Sequence, residues 1–193
     1  RVRSSAASDV YKRQDLIEII KALNLNKGQV LFSTEKVAPE VLSFMYNMVD
    51  CTINISDAEG FGLATLESLA CETPIIATMT GGLQEQVTDS ESTFGVSIEP
   101  SSKALIGSQD IPYIYEDRLK EKDVVNALLK VYNMSKEERA AIGKEGRKHV
   151  KEHYNFDKFS EDWVKFMLRV HDESGSWGTR KNYESYLSLI HIS

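Results

Sequence analysis

Cysteine is nearly absent from this chain: Cys51 and Cys71 are the two it has, too few for a disulfide framework and lacking metal-ligand spacing. They read as small apolar side chains buried in a reduced protein. Proline is scarce too, with four in 193 residues, and no internal repeat or low-complexity segment appears. No block of Lys or Arg offsets the net charge of −6, so nucleic acid and strongly anionic membranes are excluded as main partners. No apolar run approaches membrane-spanning length and no signal peptide is visible. The expectation is a cytoplasmic protein, at most peripheral at a membrane's cytoplasmic face. His149 and His153 share a helical face, but no third ligand accompanies them. They read as a solvated face, and no metal site is expected.

What is present is an ordinary hydrophobic fraction of 41%, enough for one core, and one stretch with chemistry in it. Ala58-Glu59-Gly60-Phe61-Gly62-Leu63 follows a β-type run, Cys51 to Ile55, and precedes another, Ile75 to Thr78. Between them Leu63, Leu66, Leu69 and Ala70 recur at three and four, a helical period. Strand, glycine turn, helix and strand make a βαβ unit of a Rossmann-like parallel sheet. Ligands of such sheets sit beyond the carboxyl ends of the strands. Gly60 and Gly62 let the backbone bend and a ligand come close, and the free N–H groups of a first helical turn favour an anion such as phosphate. Glu59 stands just before the helix and Glu67 within it, early enough to interact well with the dipole. Each carboxylate can accept from both hydroxyls of a vicinal diol. Two such groups flanking an anion-friendly turn suit a ligand built as nucleoside, diphosphate and sugar.

Elsewhere the periodicity marks further elements. Leu16, Ile17, Ile19, Ile20 and Leu23 predict a helix ended by Asn26-Lys27-Gly28, and Gln29 to Ser33 a short buried strand. Pro39 opens a helix with Val41, Leu42, Met45, Tyr46 and Val49 on one face. Gly81-Gly82 turns into a short helix, and Gly95 to Glu99 is a further strand. Pro100 to Glu121 reads as a long loop whose Tyr113 and Tyr115 either line an acceptor groove or pack against the sheet. Three helices close the chain. Val124, Val125, Leu128, Leu129 and Tyr132 mark the first, a capping box at Ser135-Lys136-Glu137-Glu138 starts the second, and Phe156, Phe159, Trp163, Phe166 and Val170 stripe the third as core. Residues 1–14 and 187–193 resemble translated sequencing-adapter read-through and read as non-native ends. Residues 15–172 then form the domain, and 173–186 a tail.

The motif has a family resemblance. Glu59 and Glu67 within Glu-Gly-Phe-Gly-Leu…Leu-Glu-Ser-Leu-Ala-Cys-Glu-Thr-Pro-Ile-Ile-Ala resemble the signature of retaining glycosyltransferases of the GT-B fold, in the group called glycosyltransferase family 4. Tyr46-Asn47-Met48-Val49-Asp50 resembles the family's segment before the strand, with Val49 for Ala, and Ser56 falls where a serine commonly follows it. Gly81-Gly82-Leu83-Gln84-Glu85-Gln86-Val87 is similar to its Gly-Gly-Leu-Pro-Glu-Val-Val, with Gln84 for Pro and Gln86 for Val. Glu72 stands in place of the usual Gly before Thr-Pro, at an expected helix end. The likeness is specific over residues 28–100 and continues as helices to about 172.

The resemblance implies the C-terminal, donor-binding domain of a two-domain enzyme, incomplete on its N-terminal side and followed by helices that brace it and reach back to the partner domain. The Arg and Lys that clamp the diphosphate belong to the part with no counterpart here, and Lys12 and Arg13 do not replace them. It further implies transfer of a sugar from a nucleotide-diphosphate donor to a saccharide, lipid or other hydroxyl acceptor with retention of configuration. Glu67 would hold the ribose, the amides of Gly60, Phe61, Gly62 and Leu63 the diphosphate and sugar, and Glu59 the donor-sugar hydroxyls as the catalytic residue. No cofactor or metal is implied. Three other readings stay open: a binding module without turnover, a glycoside hydrolase using the carboxylate pair, or two glutamates at a helix start with no ligand. Donor sugar, base and acceptor are not legible in these residues.

Overall fold

The computed structural model describes residues 16–33, 36–89, 92–176, 178, 179 and 181. Both expected non-native ends, 1–14 and 187–193, lie outside them, as does half of the 173–186 tail. The chain divides into two units, Arg1–Met48 and Val49–Ser193.

The first unit holds helices α1 (Leu16–Ala22) and α2 (Pro39–Met48), neither with a buried residue. Helix α1 stops one turn before the expected Asn26-Lys27-Gly28. Asn24 takes the left-handed conformation (φ 57°), and the Leu25 amide reaches back to the Ile20 carbonyl at 2.8 Å, a Schellman closure on asparagine instead of glycine. Gln29 to Ser33 is not the buried strand its composition predicts. It has no strand pairing, and Leu31 is 86% exposed. A strand needs a ladder for its backbone groups, and the described residues of this unit supply none.

The second unit is a parallel α/β layer. Strands β1 (Thr52–Asn54), β2 (Ile75–Thr78) and β3 (Val96–Ile98) pair in the order β1-β2-β3, Ile53 against Ile76 and Ala77 against Ser97. Helix α3 (Leu63–Ala70) joins β1 to β2, and α4 (Leu83–Val87) lies between β2 and β3. All four residues of β2 are buried. Side chains alternate across a strand, so Ile75 and Ala77 enter one cluster with Leu69, Leu83, Val87 and Phe94, while Ile76 enters another with Val96, Ile98, Ala127 and Val131. The Rossmann-like expectation holds, with helices covering both faces as a parallel sheet requires.

Helix α3 ends in a second Schellman closure. Thr73 N donates to Ser68 O at 3.0 Å and Glu72 N to Leu69 O at 3.0 Å, which puts Glu72 at φ 60°, where glycine is the comfortable residue. Residues 100–121 are not a loop. Strands β4 (Ser102–Leu105) and β5 (Tyr115–Arg118) form an antiparallel hairpin. Tyr113 and Tyr115 stay 75% and 59% exposed, so neither packs against the sheet. Helices α5 (Glu121–Asn133), α6 (Lys136–His153) and α7 (Phe156–Ser174) follow. The capping box of α6 is present, with Glu138 N on Ser135 Oγ at 3.1 Å and Ser135 N on Glu138 Oε2 at 2.6 Å. The aromatic stripe of α7 is not core: the helix buries no residue.

Candidate functional site

The carboxyl end of β1 is tied to the helix that follows it. Asn54 Oδ1 accepts from Ser56 Oγ at 2.7 Å, and Asn54 Nδ2 donates to the buried Thr65 Oγ1 at 3.3 Å. One turn on, Thr52 Oγ1 and Ser68 Oγ share a hydrogen bond of 2.6 Å, and Ser68 Oγ donates to Thr73 O at 3.0 Å. The inner face of α3 is therefore a run of satisfied hydroxyls, which fixes the helix against β1 without bulk. Its outer face carries Leu63 and Glu67, four residues apart and both exposed.

Between strand and helix lies the glycine turn. Gly62 is the N-cap of α3, left-handed at φ 88°, and supplies no side-chain cap. Among the described residues, the amides of Gly60, Phe61, Gly62 and Leu63 donate no hydrogen bond within the chain. The helix start is open, as an anion site requires.

A second glycine turn holds the first in shape. A Cβ on Gly81 would fall 1.7 Å from Glu59 O, and one on Gly82 would fall 2.7 Å from Phe61 O. Gly82 N donates to Gly60 O at 3.3 Å, and the buried Gln86 donates its side-chain amide to Phe61 O. The carbonyls of the turn are thus taken from beneath, which leaves its amides facing the other way. The Oε1 of Gln86 and the Oγ1 of Thr78, at the carboxyl end of β2, are buried without a partner among the described residues.

Sequence reasoning missed Gln86, seen only as a departure from valine, and misread His149. That histidine is buried, not solvated: Nε2 lies 2.9 Å from Glu85 O, and the ring stacks on Phe94 at 4.1 Å. It braces α4, which carries Gln86. The spacing of His149 and His153 on one helix could not have revealed this, because the partners, Glu85 and Phe94, are distant in sequence. His153 stays exposed. Tyr154 packs edge-on to Phe61 at 6.2 Å, and burial raises its phenol pKa, with the Glu85 carboxylate adding to the effect.

Of the expected site residues, the structure gathers Glu59, Gly60, Phe61 and Gly62 at one turn. Glu59 is half-buried, with Cγ 3.5 Å from where a Gly62 Cβ would stand. Leu63 opens the helix, and Glu67 lies in its second turn, later than "early" in the helix implied. Both cysteines are free and half-buried instead of fully buried. Burial pushes the Cys51 thiol up to about 11, where it is inert at neutral pH. Cys51 lines a cavity of about 430 Å³ with Ile53, Leu128, Tyr132 and Arg139, none of them at the glycine turn. Among the described residues, no group of three or more His, Cys, Asp or Glu side chains could hold a metal ion, and no helix is long and apolar enough to cross a membrane.

A family profile described as glycosyl transferases group 1 matches residues 11–149. The D-inositol 3-phosphate glycosyltransferase of Acidothermus cellulolyticus is 38% identical over 71 residues, which are 37% of this chain and 16% of that protein. In structure, the sucrose-phosphate synthase of Thermosynechococcus elongatus superposes with a TM-score of 0.61 at 22% identity, over 81% of this chain and 34% of that one. The C-terminal domain of a glycosyl transferase group 1 family protein from Francisella tularensis gives 0.54 at 24% identity, over 73% and 61%. The chain thus spans less than two thirds of each.

Proposed function

Because this chain belongs to the group 1 glycosyl transferases, we propose that its glycine turn binds the donor, a sugar linked to a nucleoside diphosphate, and that the whole protein transfers that sugar to an acceptor hydroxyl with retention of configuration. The observation that carries the reading is the open turn: amides with no acceptor among the described residues, braced by a second turn and Gln86, which occupy the carbonyls behind them. In this reading the amides of Gly60, Phe61, Gly62 and Leu63 meet the diphosphate. They offset the charge that builds on it as the sugar–phosphate bond breaks, through fixed dipoles that need no reorganisation. Glu67, on the outer face of α3, accepts from the ribose diol. Glu59 accepts from hydroxyls of the departing sugar and so fixes the reacting carbon. No metal ion enters the scheme. The acceptor, and the domain that would bind it, belong to the whole protein.

Calorimetry of this chain with UDP-glucose, GDP-mannose and ADP-glucose tests the reading. One of the three binds, and Glu67→Ala weakens it by roughly 10- to 100-fold, the worth of a charged hydrogen-bond pair. Failure of all three to bind, or equal binding by the alanine variant, removes the proposal. Release of sugar from a simple glycoside without any nucleotide would instead favour hydrolysis by the carboxylates.

A further inference from the structure

The β4–β5 hairpin makes a contact that its packing does not account for. None of its strand residues belongs to either apolar cluster, and it pairs with none of the three parallel strands. Yet it grips the segment that leads into the glycine turn. Asp117 N donates to Asp57 O at 2.7 Å, and Arg118 Nη1 lies 2.9 Å from Asp57 Oδ2. The same guanidinium is itself held, Nη2 on Glu116 Oε2 at 2.7 Å and Nη1 on Asp117 O at 3.1 Å. A planar fork fixed at three points sets a direction as well as a distance. Asp57 stands two residues before Glu59. On its other side, Ser56 is anchored to Asn54, and the Glu59 carbonyl rests on Gly81.

We propose that Arg118 and Asp57 are positioning residues for the donor sugar: the hairpin sets the entry of the chain into the turn and so the place of the Glu59 carboxylate. The proposal rests on the reading of Glu59 as a ligand of the sugar. It assigns the hairpin to one part of the donor, because the chain it grips leads to Glu59, whereas Glu67 rides on α3, which the strand–helix hydroxyls fix, and the turn amides are backed by Gly82 and Gln86. Loss of the latch therefore weakens grip on the sugar and spares grip on the nucleotide.

The test compares each nucleotide sugar with its sugar-free counterpart, UDP-glucose with UDP, GDP-mannose with GDP and ADP-glucose with ADP, by calorimetry on the wild-type chain, Arg118→Ala, Arg118→Lys and Asp57→Ala. The pair is solvent-exposed, 37% and 55%, so the expected loss is only about three- to fivefold. It falls on the nucleotide sugar alone, appears equally in both alanine variants, does not deepen in the double variant, and is partly restored by lysine. Equal losses for nucleotide sugar and nucleotide mean that the hairpin is merely structural, and no loss for either means that the latch does not reach Glu59. Each result overturns the proposal while leaving the donor reading intact. If the wild-type chain binds none of the probes, both fall together.

Discussion

Helices α6 and α7 follow one another in the chain and are nearly the same length, 18 and 19 residues, yet they teach opposite lessons. Helix α6 is mostly charged, with Gly143 and Gly146 interrupting it, and it is the one that packs. Gly143 lets it approach until a Cβ there would stand 1.9 Å from Glu72 O, and Gly146 does the same over Leu69, at 2.6 Å from Cδ2. His149 completes the contact. Helix α7 carries Phe156, Phe159, Trp163, Phe166 and Val170 in a stripe and buries none of them. Its rings meet one another instead, Phe159 against Trp163 at 6.2 Å and Trp163 against Phe166 at 5.7 Å. Apolar content indicates which face of a helix prefers to leave water. It does not say where a partner is, and close approach depends on what a position lacks.

Breaking α6 has the largest expected effect. Gly143→Ala drives a methyl group into a backbone carbonyl, an overpacking that costs about 3 kcal/mol and lowers the melting temperature by roughly 6–12 °C in a chain of this size. An unchanged melt would show that α6 does not depend on this approach. A smaller change of opposite sign comes from Glu72→Gly. Relief of the left-handed backbone gains about 1 kcal/mol, while the exposed ion pair to Arg147, at 3.5 Å, gives up little. Thermal melting of the two variants side by side separates them.

Acidification sharpens the same contrast at the start of α6. The Ser135 backbone and hydroxyl hydrogen bonds hold the Glu138 carboxyl below its ordinary range. A depressed folded-state pKa contributes stability above the ordinary carboxylate pKa and loses it as pH falls through the folded value. Melting temperatures taken downward from neutral pH therefore fall less steeply in Glu138→Gln than in the wild-type chain. Smallest of all is Trp163→Ser in α7, expected within about 0.5 kcal/mol of wild type as a surface change. A drop as large as that of Gly143→Ala would mean that α7 packs after all, and the comparison would fail.

The βαβ unit was legible because its periods are strong: a β-branched run on either side of the Leu63, Leu66, Leu69 spacing, with glycines between. The site residues were legible for the same reason, since Glu59 to Leu63 are contiguous. What holds them was not. Gly81, Gly82 and Gln86 act on Glu59, Gly60 and Phe61 from the turn and helix after β2, and a sequence lists no contacts across a fold. The hairpin went unseen because Ser102–Leu105 and Tyr115–Arg118 lack the alternation that marks a half-buried strand: the first is largely exposed, and the half-buried residues of the second, Glu116 to Arg118, are all charged. Gln29 to Ser33 failed in the other direction, a strand composition without a ladder to join.

The interlocked glycine turns have a spectroscopic consequence. Hydrogen exchange ordinarily separates ordered from disordered backbone, because order brings amide bonding with it. At Gly60, Phe61 and Leu63, all exposed residues, the two are uncoupled: their amides donate no hydrogen bond among the described residues, although the Gly60, Phe61 and Gly62 carbonyls all accept one. Those three signals should trade deuterium nearly as fast as an unfolded peptide while neighbours in β2 remain protected. A bound phosphoryl group would then announce itself as slowing confined to them, a reporter already present in the native backbone.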